Sequence, residues 1–106
     1  MSTRGRDHVY EFTAPLWRWQ GNAAWHFLTL PFEVTDEIDE ITTGTQGGFG
    51  SVPVRVTVGR TTWTTSVFPS KDHESFILPV KAVVRRAEAL LEGSAVAVRL
   101  ELAGLD

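Results

Sequence analysis

The chain has 106 residues, a formal net charge of −3, a hydrophobic fraction of 42% and no cysteine. This length suits one domain whose core needs neither a disulfide nor a metal. The missing cysteines exclude disulfides, thiolate zinc sites and cysteine nucleophiles. The negative charge argues against a general nucleic-acid binder, which normally presents a basic face.

The N-terminal segment, residues 1–7, is polar and contains no apolar stretch of the kind found in signal peptides. No run of the sequence approaches the ~18 apolar residues of a membrane span. Small secreted domains also carry disulfides more often than cytoplasmic ones. We therefore expect a cytoplasmic protein with one domain over residues 1–106, of which 1–7 form a flexible tail.

The chain begins with a predicted hairpin. Apolar residues alternate with polar ones over 8–19, which indicates a strand. Pro15 cannot donate a ladder hydrogen bond, so this strand is expected at an edge or at a bulge. Residues 20–22 supply a turn, and 25–30 form the return strand.

A short helix and a loop are predicted next. The apolar spacing within 34–41 favours one or two helical turns. Thr35 is expected to cap this helix, and Asp36 and Glu37 suit the positive end of its dipole. Residues 42–50 contain four glycines and are expected to form a loop.

The sequence predicts three strands over residues 52–78. Valines alternate with other residues over 52–58, a pattern typical of a half-buried strand. Gly59 begins a tight hairpin turn, and 63–68 return along the first strand. A polar loop then leads to a short strand over 76–78.

A long amphipathic helix over 79–92 is the clearest predicted element. Pro79 suits its first position, and Gly93 suits its end. Its apolar stripe contains Val80, Val83, Val84, Ala87, Leu90 and Leu91. A last strand follows over 95–102. We therefore expect a mainly-β fold, a small barrel of about six strands with one long amphipathic helix and one short helix.

Four segments of the chain resemble the DUF1905 family of bacteria and archaea, a domain of unknown function. They are AWHF followed by LP (24–31), GFGSVPV (48–54), WTTS (63–66) and LPVKAVVR (78–85). The resemblance runs in order from about Tyr10 to Leu102. It implies a double-split β-barrel, a fold class shared with DNA-binding transition-state regulators and antitoxins, and it implies no particular activity. Ser94 departs from the aspartate that is common in the family.

Most chemistry-bearing residues have an ordinary structural interpretation. The glycines of 44–50 match neither a dinucleotide fingerprint nor a P-loop. The acids of 36–40 fit a solvated helix face better than a cation site. The three histidines lack ligand spacing, and no serine lies in a nucleophile elbow. We expect no metal, no cofactor and no catalytic residue.

The four tryptophans are expected mainly in the core. Trp25 and Trp63 suit core positions. Trp17 and Trp19 share one strand face, so one of them is a candidate for the wall of a groove.

Lys81 and Arg85 are the best candidates for a site. They lie one helical turn apart, off the apolar stripe, and the helix dipole disfavours a cation in the first turn. With Trp63 and Ser66 on a nearby strand, they define a tentative ligand-binding site. The alternative is a solvated face on which Arg85 pairs with Glu88.

We therefore expect a non-catalytic binding or accessory module for a small anionic ligand or an acidic protein partner, without nucleic acid or membrane partners. The first alternative is a small enzyme of unknown reaction, which the sequence favours less than a non-catalytic module. A DNA-binding regulator is the second, and it rests on fold analogy alone. The sequence leaves the oligomeric state open.

Overall fold

The computed structural model describes residues 8–21, 24–42 and 50–103. These residues form seven strands and two helices. In chain order they are β1 (Val9–Pro15), β2 (Trp17–Arg18), β3 (His26–Thr29), α1 (Phe32–Thr42), β4 (Val52–Val58), β5 (Thr61–Ser70), β6 (Ser75–Pro79), α2 (Ala82–Ala87) and β7 (Ala95–Leu102).

The strands form one antiparallel sheet with the order β1-β7-β4-β5-β6-β3-β2. β1 and β2 lie at opposite ends of this order, yet only Leu16 separates them in the chain. The sheet must therefore curl until its outer strands approach each other, which gives a half-barrel. The mainly-β prediction is confirmed. The predicted strand over 8–19 is two strands, because at Leu16 the chain leaves the ladder with β7 and joins the ladder with β3.

The inner face of the curled sheet carries the core. On β4 the side chains of Val52, Val54, Val56 and Val58 are all buried, while Pro53 and Arg55 between them are exposed. The same alternation continues on β1 and β7, where each second residue belongs to one hydrophobic cluster. This period of two follows from the pleat of a strand with one covered face.

Helix α1 packs on this core and is longer than the sequence predicts. It begins at Phe32 rather than near Val34, and its Val34 and Ile38 are fully buried. The prediction of Thr35 as the N-cap is wrong. Thr35 lies inside the helix, and its hydroxyl accepts a hydrogen bond of 3.1 Å from the Phe76 N–H of β6. This bond fixes the helix to the sheet.

Helix α2 is shorter than the sequence predicts, so the long helix over 79–92 is wrong. Pro79 is the last residue of β6, and α2 ends at Ala87. Ala89 has a positive φ of 54°, which an α-helix does not accept. Val84 is buried, but two members of the predicted stripe, Val83 and Leu91, are 61% and 73% exposed.

A side-chain clamp follows the end of α2. The Glu88 carboxylate accepts hydrogen bonds from the Arg60 N–H (3.1 Å) and the Thr61 hydroxyl (2.7 Å), both in the β4–β5 hairpin. A Cβ at Gly59 would collide with this carboxylate, and the φ of Gly59 is +59°, as the predicted turn requires. The clamp holds the chain after α2 against the hairpin instead of letting the helix continue.

Some predictions fall outside the described residues. They are the N-terminal tail over 1–7, the glycine-rich loop over 43–49 and the end of the first turn at Asn22. Within the described part of the chain, no helix combines the length and the apolar character needed to cross a membrane.

Candidate ligand-binding groove

The outer face of the half-sheet β5-β6-β3-β2 is covered by apolar side chains. The ladder sets Phe68 opposite Ile77, and Phe27 opposite Pro79. Trp17 on β2 pairs with Phe27, and their ring centroids lie 5.1 Å apart. These positions alternate with core residues of the same strands, so they point away from the core and form a separate apolar floor.

Two tryptophans stand beside this floor. Trp25 immediately precedes β3 and is 60% exposed, and Trp19 is 44% exposed. Their ring centroids lie 5.6 Å apart, and the backbone N–H of Trp19 donates a 2.8 Å hydrogen bond to the Trp25 carbonyl. Trp25 also meets Phe27 edge to face, at 6.5 Å and 70°. The prediction that Trp25 fills the core is therefore wrong.

Helix α2 supplies the facing wall. The Val80 N–H donates a 2.9 Å hydrogen bond to the His26 carbonyl, which continues the β3–β6 ladder up to the start of α2. Between the wall and the floor lies a cavity of about 690 Å³, which we call the aromatic groove. Its lining residues are Ala24, Trp25, His26, Phe27, Phe68, Ile77, Pro79, Val80, Lys81, Ala82 and Arg85.

Lys81 and Arg85 bring positive charge to the aromatic groove. Among the described residues, no carboxylate lies within ion-pair distance of either one. One guanidinium nitrogen of Arg85 donates a 2.7 Å hydrogen bond to the Val80 carbonyl, which fixes the side chain and leaves its other donors available. Glu88, the sequence-based alternative partner of Arg85, is engaged by the β4–β5 hairpin.

His26 adds a further polar group to the groove. Its Nδ1 lies 2.9 Å from the Ala24 carbonyl oxygen. A carbonyl only accepts hydrogen bonds, so Nδ1 carries the hydrogen and Nε2 of the neutral ring is an acceptor.

The structure brings together two of the four predicted site residues. Lys81 and Arg85 both line the aromatic groove, whereas Trp63 and Ser66 do not. Trp63 lies on the inner side of β5, opposite Val56, and packs partly buried against the core. Ser66 lies on the outer face, like Phe68, but outside the cavity. Residues 63 and 66 differ in parity, so one strand cannot present both on one face.

The shorter helix removes the dipole argument for Arg85 but not for Lys81, which stays at the N-terminal end of α2, where the dipole disfavours a cation. Lys81 is the N-cap residue of α2, and Arg85 lies in the last turn, where the helix dipole favours a cation. The pair lines the groove for a different reason, which is that the β3–β6 ladder places the start of α2 beside Phe27. Their predicted role in ligand binding stays a prediction.

The family model of DUF1905, which is a domain of unknown function, matches residues 12–100 of the chain. The chain belongs to the DUF1905 family. This match confirms the resemblance recognised in the sequence. No curated protein matches the chain.

The groove of this DUF1905 domain contains three aromatic residues that were not among the predicted site residues, Trp25, Phe27 and Phe68. A signal for two of them is present, because Trp25 and Phe27 both lie in the segment that resembles the family. The sequence does not show which of them points outward. Phe27 and Leu28 are both apolar and adjacent on β3, and only the ladder register decides that Leu28 faces the core and Phe27 faces away from it.

Other candidate chemistry of the DUF1905 domain stays apart from the groove. Among the described residues, no three histidine, aspartate or glutamate side chains form a group that would hold a metal ion. His73 instead stacks on Trp17, with ring centroids 4.4 Å apart. Trp17 Nε1 in turn donates a 2.9 Å hydrogen bond to the Thr29 hydroxyl.

Proposed function

We propose that this domain is a binding module for a small organic anion with an apolar body, held in the aromatic groove. The observation that carries the proposal is an apolar cavity of about 690 Å³ with two cations on one wall that no described carboxylate neutralises. The cytoplasmic location expected from the sequence is part of the same proposal.

The size and lining of the groove support a small ligand. Cavities of about 300–1,000 Å³, lined mainly by apolar residues with a few polar groups, are typical of small-molecule sites. Trp25 and Phe68 are 60% and 43% exposed and lie in the same groove. Clustered exposure of large apolar side chains is typical of binding surfaces. An apolar ligand body would remove this surface from water.

The charges of the groove support an anionic group on that ligand. Arg85 is half-buried and its guanidinium is held by the Val80 carbonyl, so little side-chain freedom remains to be lost on binding. Its free N–H groups are suited to a carboxylate or phosphate, with Lys81 as a second positive charge. A walled cavity favours a small anion over the acidic face of a protein partner, which would contact Lys81 from outside the groove.

The proposal is tested with two anions of different shape, naphthalene-2-carboxylate and decanoate, and with the neutral 2-naphthamide. We expect at least one anion to raise the melting temperature and to bind in calorimetry, because a ligand at 100 times its Kd adds about 2.7 kcal/mol. The neutral amide should bind more weakly than the naphthoate of the same shape.

Matched variants test whether the positive charges of the groove bind the anion. Arg85→Gln keeps a donor for the Val80 carbonyl and removes the charge, and Arg86→Gln makes the same change one residue later, outside the groove. Lys81→Gln and Lys71→Gln form a second pair. We expect about a tenfold loss of anion affinity for Arg85→Gln, in line with one charged hydrogen bond, a smaller loss for Lys81→Gln, and less than about a twofold change for both controls. Equal losses at Arg85 and Arg86 would contradict a specific site, as would the failure of both anions to bind.

A further inference from the structure

Trp25 and the floor residue Phe27 meet at a corner on the side of the aromatic groove that faces α2. Trp25 and Phe27 have an interplanar angle of 70° and a centroid distance of 6.5 Å. Phe27 is only 9% exposed, whereas Trp25 is 60% exposed, so a flat ligand ring can lie parallel to the Trp25 indole in an offset stack, an arrangement that the ring quadrupoles favour.

The indole of Trp25 is held in place without being covered. Trp19 packs against Trp25, and the backbone bond from the Trp19 N–H to the Trp25 carbonyl fixes the two residues. Trp19 itself lies directly on Gly21, where any Cβ would collide with its ring. Trp25 therefore presents a supported surface that is 60% exposed, and its stacking to a ligand requires little ordering.

The cations lie on the wall that faces this corner. Lys81 and Arg85 extend from the α2 side of the groove, whereas Trp25 belongs to the segment before β3. A ring lying against Trp25 therefore needs an anionic substituent that projects from the ring toward α2.

We infer that the ligand of the aromatic groove is a flat aromatic ring system with a carboxylate, sulfonate or phosphate substituent, stacked on Trp25. This inference rests on the proposed function and names its ligand class. A flexible alkyl anion is less suited to the groove, because it loses rotamer freedom on binding that a rigid ring does not have.

The experiment compares naphthalene-2-carboxylate with decanoate, two carboxylates of similar carbon content, by calorimetry and by proton NMR of the ligand. We expect the naphthoate to bind at least about fivefold more tightly, which is within the range of one aromatic pair. Its ring protons should shift upfield on binding, since a stacked indole shields them.

Trp25→Leu keeps an apolar wall and removes the ring. It should weaken naphthoate binding about fivefold and abolish the upfield shift, while decanoate binding changes less than about twofold. Phe32→Leu is the control, because Phe32 is an exposed aromatic residue, 68% exposed, outside the groove. Decanoate binding as tightly as naphthoate, or unchanged naphthoate binding in Trp25→Leu, would overturn the ring inference. If the Arg85→Gln loss persisted in that case, the proposed function would stand. If neither anion binds, both proposals fail.

Discussion

Replacing Val84 by Asp should unfold the domain, whereas the same replacement at Leu91 should leave it folded. Val84 is 2% exposed and Leu91 is 73% exposed. Burial of a valine side chain contributes about 1.5–3 kcal/mol, and an unpaired buried carboxylate costs several kcal/mol more. The sum, about 5 kcal/mol or more, is comparable to the whole stability of a small domain. A substitution at the exposed Leu91 should change stability by about 0.5 kcal/mol or less.

Urea unfolding followed by tryptophan fluorescence and far-ultraviolet circular dichroism measures these effects. We expect no cooperative transition for Val84→Asp and a near wild-type midpoint for Leu91→Asp. Val84→Ala provides a graded control, with an expected loss of about 2 kcal/mol from the smaller side chain and its cavity. A wild-type midpoint for Val84→Asp would show that α2 does not pack on the core. Unfolding of Leu91→Asp would restore the long helix that the sequence predicts.

Three further predictions follow from the described contacts and charges. Glu88→Ala should lower the free energy of unfolding, measured in urea, by about 1–3 kcal/mol, because Arg60 and Thr61 lose their hydrogen-bond acceptor. The control Glu92→Ala should change it by less than about 0.5 kcal/mol, and equal effects of the two variants would contradict the clamp. Burial raises the pKa of Tyr10 to about 12, with a smaller contribution from the negative charge of Glu37. The unfolded state therefore loses this proton first, so the free energy of unfolding should fall by roughly 2 kcal/mol between pH 10 and 12. Tyr10 is the single tyrosine, so absorbance at 295 nm reports its ionisation; a midpoint near 10 in the folded protein, or the same pH-dependent loss in Tyr10→Phe, would contradict this. At physiological salt we expect no sub-micromolar binding to duplex DNA in a gel shift, since the chain carries a net charge of −3; tight, salt-dependent binding would revive the regulator analogy.

The strands were largely predictable because their signal is local. The alternating valines of β4 and the alternating apolar residues of β1 and β7 correspond to residues that the structure buries. The break at Leu16 coincides with a change in the alternation that the prediction of one strand did not use, since the apolar positions are even-numbered up to Leu16 and odd-numbered at Trp17 and Trp19. It arises because Pro15 ends one ladder and the next residues find their partners on β3.

The helices were less predictable because periodicity does not say how far a helix extends. The apolar spacing of 80–91 fits a helical stripe along its whole length, yet α2 ends at Ala87, and Leu90 packs against the core from beyond the helix. The hairpin that binds Glu88 is 27 and 28 residues away in sequence, so a local pattern contains no information about it. Helix α1 was predicted too short for the same reason. Thr35 resembles an N-cap, but it lies inside the helix and accepts a hydrogen bond from Phe76 of β6, 41 residues away in sequence.

The candidate site shows what local reasoning reaches and where it stops. Lys81 and Arg85 were selected partly from the dipole of a long helix, an argument that the short α2 keeps for Lys81 at its N-cap and removes for Arg85 in its last turn. Trp63 and Ser66 were added by proximity in sequence. The ladder decides the outcome instead. Phe27 lies opposite Pro79, and the next residue, Val80, still donates to the His26 carbonyl. Lys81, Ala82 and Arg85, which follow Val80, accordingly line the groove together with Phe27. The family resemblance includes both segments, 24–31 and 78–85, and so contains residues of the groove floor and of its charged wall. It does not show that these segments lie side by side in the fold. Strand pairing therefore turns two separate sequence segments into the two sides of one groove.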